Sequence, residues 1–265
     1  MTRRHLTFPC AGDTLAATLD EAPGGTGLLI VTGGNETRSG AFAGQAQLAA
    51  RIAAAGYPVF RFDRRGVGDS TGINSGFTGS AEDIAAALAA FRHAAPQITR
   101  VVAFGNCDAA SALMLAQGAG CHALALANPW TFEQADAGPP PAAIRQRYAA
   151  KLRNPRELWR LITGGVSLRK LAGGIVAALK PAAPPSSLAQ QMQAGLSAVA
   201  GPVHVLLAAN DRTAQAYMAT CPDRQATWQL CEGAGHAFAE SHANNWLFSR
   251  LYSILEEQAG QLHMR

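Results

Sequence analysis

Short apolar runs that end in small residues alternate, along most of the chain, with segments of helical periodicity. "TGLLIVTGG" (26–34), "YPVFRFDRRG" (57–66), "RVVAFGNC" (100–107), "HALALANPW" (122–130) and "GPVHVLLAAND" (201–211) read as buried strands running into loops. Between them, "FAGQAQLAARIAAAG" places Leu48 and Ile52 four apart and stops at Gly56. "SAEDIAAALAAFRHAAP" puts Ile84, Leu88 and Phe91 on one face, with an acidic start after Ser80 and a stop at Pro96. The closing "ANNWLFSRLYSILEEQ" aligns Leu247, Leu251 and Ile254. Such alternation constrains the fold class to α/β, a mainly parallel central sheet flanked by helices. "RHLTFPC" and "TLAATLDE" predict an antiparallel pair leading into that sheet, and "ATWQLCEGAGHAF" (226–238) supplies a last strand.

The rhythm breaks after Pro129. Residues 131–197 hold "GPPPAA", an arginine-rich helical stretch, two Gly-Gly steps and "KPAAPPSS", with no convincing buried strand. They follow a strand, so they are expected above the carboxyl ends of the strands, the edge where open α/β sheets bind ligands. The expected organisation is a core of residues 1–130 and 198–265 with a helical lid insertion at 131–197.

A chain of 265 residues fits one large domain, and 48% hydrophobic against 15% charged residues excludes a disordered protein. Five scattered cysteines, with no Cys-x-x-Cys pair and no Cys/His cluster, suggest free thiols; no metal and no cofactor is expected. The longest apolar candidate, "LAGGIVAAL" (171–179), falls far short of the roughly 20 residues of a membrane span, so a soluble, cytoplasmic protein is expected. The net charge of +4 is uneven: residues 131–180 carry nine basic and three acidic side chains. That is a solvated helical face or a patch that steers an anionic substrate or acidic partner. The basic residues are not interleaved with a nucleic-acid motif, so no nucleic-acid partner is expected.

Within "VVAFGNCDAASALMLA" (101–116) a strand meets a helix at Gly105-x-Cys107-x-Ala109. Cysteine is often a small buried hydrophobe. Here small neighbours allow a sharp turn that exposes a nucleophile, and a helix start favours negative charge. Two further residues stand in the chain order of a nucleophile–acid–base triad. Asp211 ends a strand, where an acid is commonly a turn former, and His236 lies in the small-residue loop "EGAGHAF" after the last strand. A carboxylate at Asp211 could accept the imidazole N–H of His236 and fix its tautomer. An oxyanion hole is expected from the backbone N–H groups of Asp108 and Asn35, with Gly34 a lesser donor. Gly34, Glu36, Arg38 and Trp130 are further candidates for substrate contact. "FDRRGVGDSTG" (62–72) is neither a dinucleotide nor a Walker loop, and is expected to brace the loops beneath the site.

"RFDRRGVGDS", "GNCDAASAL", "ALANPW" and "RNPRELWRLITGGVSLRKL" together resemble the α/β-hydrolases called exosortase A system-associated hydrolase 1. The resemblance covers most of the chain and departs at Ala109, where glycine would be expected. It implies the α/β-hydrolase fold and a bacterial cytoplasmic enzyme with a cysteine nucleophile. It also implies an association with exopolysaccharide production and exosortase-dependent sorting, with an acyl carrier protein or acyl-CoA as a source of substrate.

A thiolate attacks well near neutral pH and leaves readily, which suits a small-molecule acyl ester or thioester better than an amide. The expected reaction is hydrolysis through an acyl-cysteine at Cys107. Two other readings stay open: transfer of the acyl group to an alcohol or amine, and a catalytically inactive protein that binds an acyl or small ligand.

Overall fold

The computed structural model describes residues 2–132, 187–220 and 228–260. Its strands are β1 (Arg3–Cys10), β2 (Asp13–Asp20), β3 (Thr26–Val31), β4 (Val59–Phe62), β5 (Arg100–Asn106), β6 (Ala123–Ala127), β7 (Val203–Ala208) and β8 (Trp228–Cys231). They form one sheet in the order β1-β2-β4-β3-β5-β6-β7-β8. β1 and β2 pair antiparallel, as does β2 with β4, and every later pairing is parallel. The mainly parallel α/β sheet expected from the alternation is therefore present, in the α/β-hydrolase arrangement that the resemblance implies.

Helices α1 (Gly44–Ala54), α2 (Ala81–Ala94), α3 (Asp108–Leu115), α4 (Ser187–Ser197), α5 (Arg212–Thr220) and α6 (Ser241–Gly260) cover the two faces. The period of two along each strand sorts side chains between two cores. Leu29 and Val31 of β3, with Val101 and Ala103 of β5, meet Ile84, Leu88 and Phe91 of α2 and Leu113 of α3. Leu28, Ile30, Val102 and Phe104 point the other way, onto Leu48 and Ile52 of α1 and Leu247, Leu251 and Ile254 of α6. The apolar stripes read from the sequence are thus the buried faces of these helices.

The chain leaves β3 toward α1 on one face and leaves β5 toward α3 on the other. The order of connection reverses between these neighbouring strands, which opens a crevice at their carboxyl ends. Register makes the crevice level: Val31 lies opposite Gly105, and Asn106 opposite Ala127. Candidate residues 33–36 and 107–108 flank it.

Residues 133–186, most of the expected lid, lie outside the described residues. The part of that span seen as α4 buries Leu188, Met192 and Leu196 in the same core as Leu113 and Met114 of α3. Among the described residues no helix is long and apolar enough to cross a membrane.

Candidate active site

Cys107 stands between β5 and α3, half-exposed, with φ 62° and ψ −126°. A non-glycine residue with positive φ is strained by roughly 1–3 kcal/mol, and surrounding packing has to hold it there. That packing is visible. Ala109 is fully buried, and a Cβ at Gly105 would come within 2.7 Å of the Ala109 carbonyl carbon. Small residues on either side are therefore a steric requirement of the corner, which alanine at 109 meets. The Cys107 N–H donates to the Ala127 carbonyl at 3.0 Å, and its own carbonyl accepts from Trp130 N–H at 3.3 Å. Ser111 Oγ donates to the Trp130 carbonyl at 2.7 Å, tying half-buried Trp130 to the first turn of α3.

Asp211 lies one residue before α5. Its Oδ2 accepts the Ala214 N–H at 3.0 Å, so it caps that helix. Its Oδ1 is 3.0 Å from His236 Nδ1, with the carboxylate 7% and the imidazole 44% exposed. One carboxylate oxygen thus caps the helix and the other meets the imidazole. The His236 pKa is pushed up from 6.5 to about 10, first by the Asp211 hydrogen bond and then by interaction with Cys107, against the opposing effect of burial. With Nδ1 on Asp211, Nε2 is the nitrogen left for the thiol.

The loop carrying His236 is held by two amides that the sequence reading passed over. Asn106 Nδ2 donates to the His236 carbonyl at 3.0 Å, and Asn128 Nδ2 donates to the same carbonyl at 3.2 Å. Asn128 is fully buried at φ 43°, donates also to Asn106 Oδ1 and accepts from Ala208 N–H. The Asn-Pro step in "ALANPW" was the available signal, since asparagine tolerates the left-handed region.

On the other wall, the Asp108 carboxylate accepts the Gly34 N–H at 2.7 Å, and Arg64 Nη2 donates to the Gly34 carbonyl. Gly34, expected as a donor or substrate contact, thus has both backbone groups engaged by the protein. A Cβ at Gly33 would lie 2.5 Å from Asp108 Oδ1, so glycine there lets the two loops close. Among the described residues, the N–H groups of Asn35 and Asp108 have no hydrogen-bond partner. Both are of the type able to stabilise a developing oxyanion.

Arg38 is drawn elsewhere. Its guanidinium pairs with fully buried Asp63, with Asp69 at 2.8 Å and with Thr18 Oγ1 at 3.1 Å, and its N–H reaches Asp63 Oδ1 at 2.5 Å. These contacts give Arg38 a bracing position between the loops after β3 and β4. Asp63, Arg64 and Arg65 do the same for neighbouring loops, Arg65 meeting Asp83 at 2.5 Å and Glu82 at 2.9 Å. The expected bracing role of "FDRRGVGDSTG" accounts for these pairs. Glu36 is exposed and lines a small cavity of about 70 Å³ with His236, Asn106, Phe104, Gln45 and Leu247.

A search of the curated proteins found no match. Among solved structures, DcsB in complex with its substrate analogue superposes with a TM-score of 0.64 at 15% identity, over 97% of this chain and 99% of that one. The Pyrococcus furiosus esterase Pf2001 gives 0.61 at 11% identity, over 97% and 91%. The thioesterase domain from the curacin biosynthetic pathway gives 0.54 at 13% identity, over 96% and 99%. At these identities the likeness is one of fold. The model of the alpha/beta hydrolase family matches residues 24–249, most of the chain. The chain belongs to the alpha/beta hydrolase family and is a hydrolase enzyme.

Proposed function

We propose that the protein hydrolyses a carboxylic ester or thioester through an acyl-cysteine formed on Cys107, with His236 and Asp211 completing the triad. The observation that carries this reading is the His236–Asp211 contact of 3.0 Å, made by an imidazole whose proton affinity Cys107 also raises. Interaction with both groups supports a ring that works between acid and thiol.

The steps balance as follows. With the thiol's proton already held on His236 Nε2, Sγ forms a bond to the acyl carbon while the carbonyl π pair moves onto oxygen. The Asn35 and Asp108 N–H groups receive that oxyanion. The adduct collapses, the bond to the leaving alkoxide or thiolate breaks, and His236 returns the proton to it. Acylation also removes one of the two influences that hold the ring protonated. The neutral imidazole then takes a proton from water as the water oxygen bonds to the acyl carbon, and Sγ leaves and is reprotonated.

A reducing cytoplasm suits a protein that works with a free thiol. The +6 charge of residues 131–180, read from the sequence, supports an anionic acyl donor such as an acyl carrier protein or coenzyme A thioester. The resemblance to exosortase A system-associated hydrolase 1 points the same way, toward acyl groups used in exopolysaccharide production.

The test is a panel of acyl-coenzyme A thioesters and nitrophenyl esters, followed by intact-mass spectrometry. Wild type should gain one acyl mass on Cys107 and turn over. Cys107→Ala should show neither while melting within a few degrees of wild type. Turnover persisting in Cys107→Ala would overturn the nucleophile. An adduct that only an added amine or alcohol discharges would make the protein a transferase.

A further inference from the structure

The Gly34–Asn35 segment is gripped at three places by groups from two other loops: at the Gly34 N–H, at the Gly34 carbonyl and at the Asn35 side chain. Asp108 Oδ1 accepts the Gly34 N–H at 2.7 Å, and Arg64 Nη2 donates to the Gly34 carbonyl. Arg64 is itself fixed. Its side chain is 3% exposed, its Nη1 donates to Ser80 Oγ at 2.9 Å, and Ser80 Oγ donates onward to the Gly76 carbonyl at 2.8 Å. On the far side, Asn35 Oδ1 accepts from Asn74 Nδ2 at 2.8 Å.

A trans peptide is planar, with its C=O and N–H directed oppositely. The Gly34 carbonyl and the Asn35 N–H belong to the same plane. Holding the carbonyl against Arg64 therefore aims the Asn35 N–H away from the guanidinium. A cation on the carbonyl oxygen also polarises the peptide and strengthens its N–H as a donor. Asp108 links the two halves: its backbone N–H is the second free donor, and its side chain holds the loop that carries the first.

We propose that Arg64 and the Asp108 carboxylate are positioning residues that clamp the Gly34 peptide, setting the aim and separation of the two N–H donors that receive the oxyanion. This rests on the acyl-cysteine reading above. The clamp acts only when a carbonyl carbon becomes tetrahedral. It leaves the thiol's own reactivity untouched. Arg64 Nε is buried without a hydrogen-bond partner among the described residues, a cost of a kind that marks a side chain held for its other end.

The test compares three reactions at Cys107 in wild type, Arg64→Gln, Arg64→Lys, Asp108→Ala and Asp108→Asn. Iodoacetamide alkylates the thiol by displacing iodide and forms no oxyanion. A nitrophenyl ester acylates it through one. An aldehyde adds reversibly, the Sγ–carbon bond forming as the carbonyl pair moves to oxygen. Removing a donor outright slows turnover by about 10²–10³-fold, so misaiming one should slow acylation and weaken the aldehyde by about 10- to 100-fold. That loss is expected in Arg64→Gln and Asp108→Ala, with KM and the iodoacetamide rate within about threefold of wild type. Asp108→Asn keeps an acceptor oxygen for the Gly34 N–H and should recover most of the rate, and Arg64→Lys should fall between. Should Arg64→Gln fail to fold, the half-exposed Asp108 pair carries the comparison alone.

Equal acylation in wild type and all variants would overturn the clamp, as would parallel losses in all three reactions. A wild type that is alkylated at Cys107 but never acylated would instead overturn the functional reading, and the clamp with it.

Discussion

The two walls of the crevice are braced by different chemistry. The loops after β3 and β4 are tied by charge: Arg38 to Asp63 and Asp69, Arg65 to Asp83 and Glu82, and Arg64 to the Gly34 carbonyl. The loop that carries His236 is tied at the His236 carbonyl by neutral amides, Asn106 and Asn128, while its charged tie among the described residues, Glu240 accepting the Gly235 N–H at 3.1 Å, is not among the influences on the ring. The groups on the first wall are peptide N–H donors, which do not titrate, so neighbouring charge can position them freely. In the proposed mechanism the imidazole on the second wall gains and loses a proton in each cycle. Any charge beside it would move its pKa, and a neutral amide fixes it without that effect. Among the described residues the carboxylate in contact with the ring is Asp211, the one whose influence the proposed chemistry uses.

Asp211→Asn should break that arrangement most severely. It removes the first cause of the raised His236 pKa, so the titration midpoint should fall from about 10 toward the ordinary 6.5, read from imidazole proton shifts against pH. Turnover should fall by about 10²-fold or more, because the tautomer is no longer enforced. Stability follows in sign. A folded pKa above the unfolded one contributes stability that is complete below about pH 6.5 and is lost as pH rises toward about 10. The variant's denaturation curves should lose most of that slope. A midpoint that stays near 10 would remove Asp211 as the partner.

Arg38→Met tests the charged wall. Asp63 is fully buried and would keep only the N–H groups of Arg38 and Asp69. Removing one partner of a buried ion pair costs about 3 kcal/mol, or about 6–10 °C in Tm for a chain of this size. A rise in KM with no loss of Tm would return Arg38 to the substrate.

What the sequence made legible follows from how local each signal is. The strands, the helices and the order Cys107, Asp211, His236 rest on periodicity and on loops at strand ends, which a single segment displays. The ion pairs of Arg38 were not legible because its neighbours in sequence are candidate oxyanion-loop residues, whereas its partners Asp63 and Asp69 come from the loop after β4. No local pattern encodes that pairing. The packing of helix α4, within the span read as the lid, was hidden for a related reason. Leu188, Met192 and Leu196 make a stripe that any covering surface would satisfy, and only the folded chain shows that α3 supplies it. Asn106 and Asn128 escaped because their target is a backbone carbonyl, and backbone carries no residue identity for a sequence to reveal.

The amide wall gives the smallest and sharpest test. Asn128→Ala removes donors to the His236 carbonyl and Asn106, and an acceptor for Ala208 N–H, in a fully buried position. The expected loss is about 2 kcal/mol, or about 4–8 °C in Tm. Asn106 still holds the carbonyl at 3.0 Å, so turnover should fall only severalfold. The decisive reading is the His236 midpoint. Alanine is as uncharged as asparagine, so the midpoint should stay within about half a unit. Asn128→Asp, equal in size, would place a carboxylate beneath the loop and should push the midpoint higher still if it ionises. If both variants leave the midpoint alone, neutrality on this wall has no consequence for the imidazole, and the contrast between the walls is one of packing only.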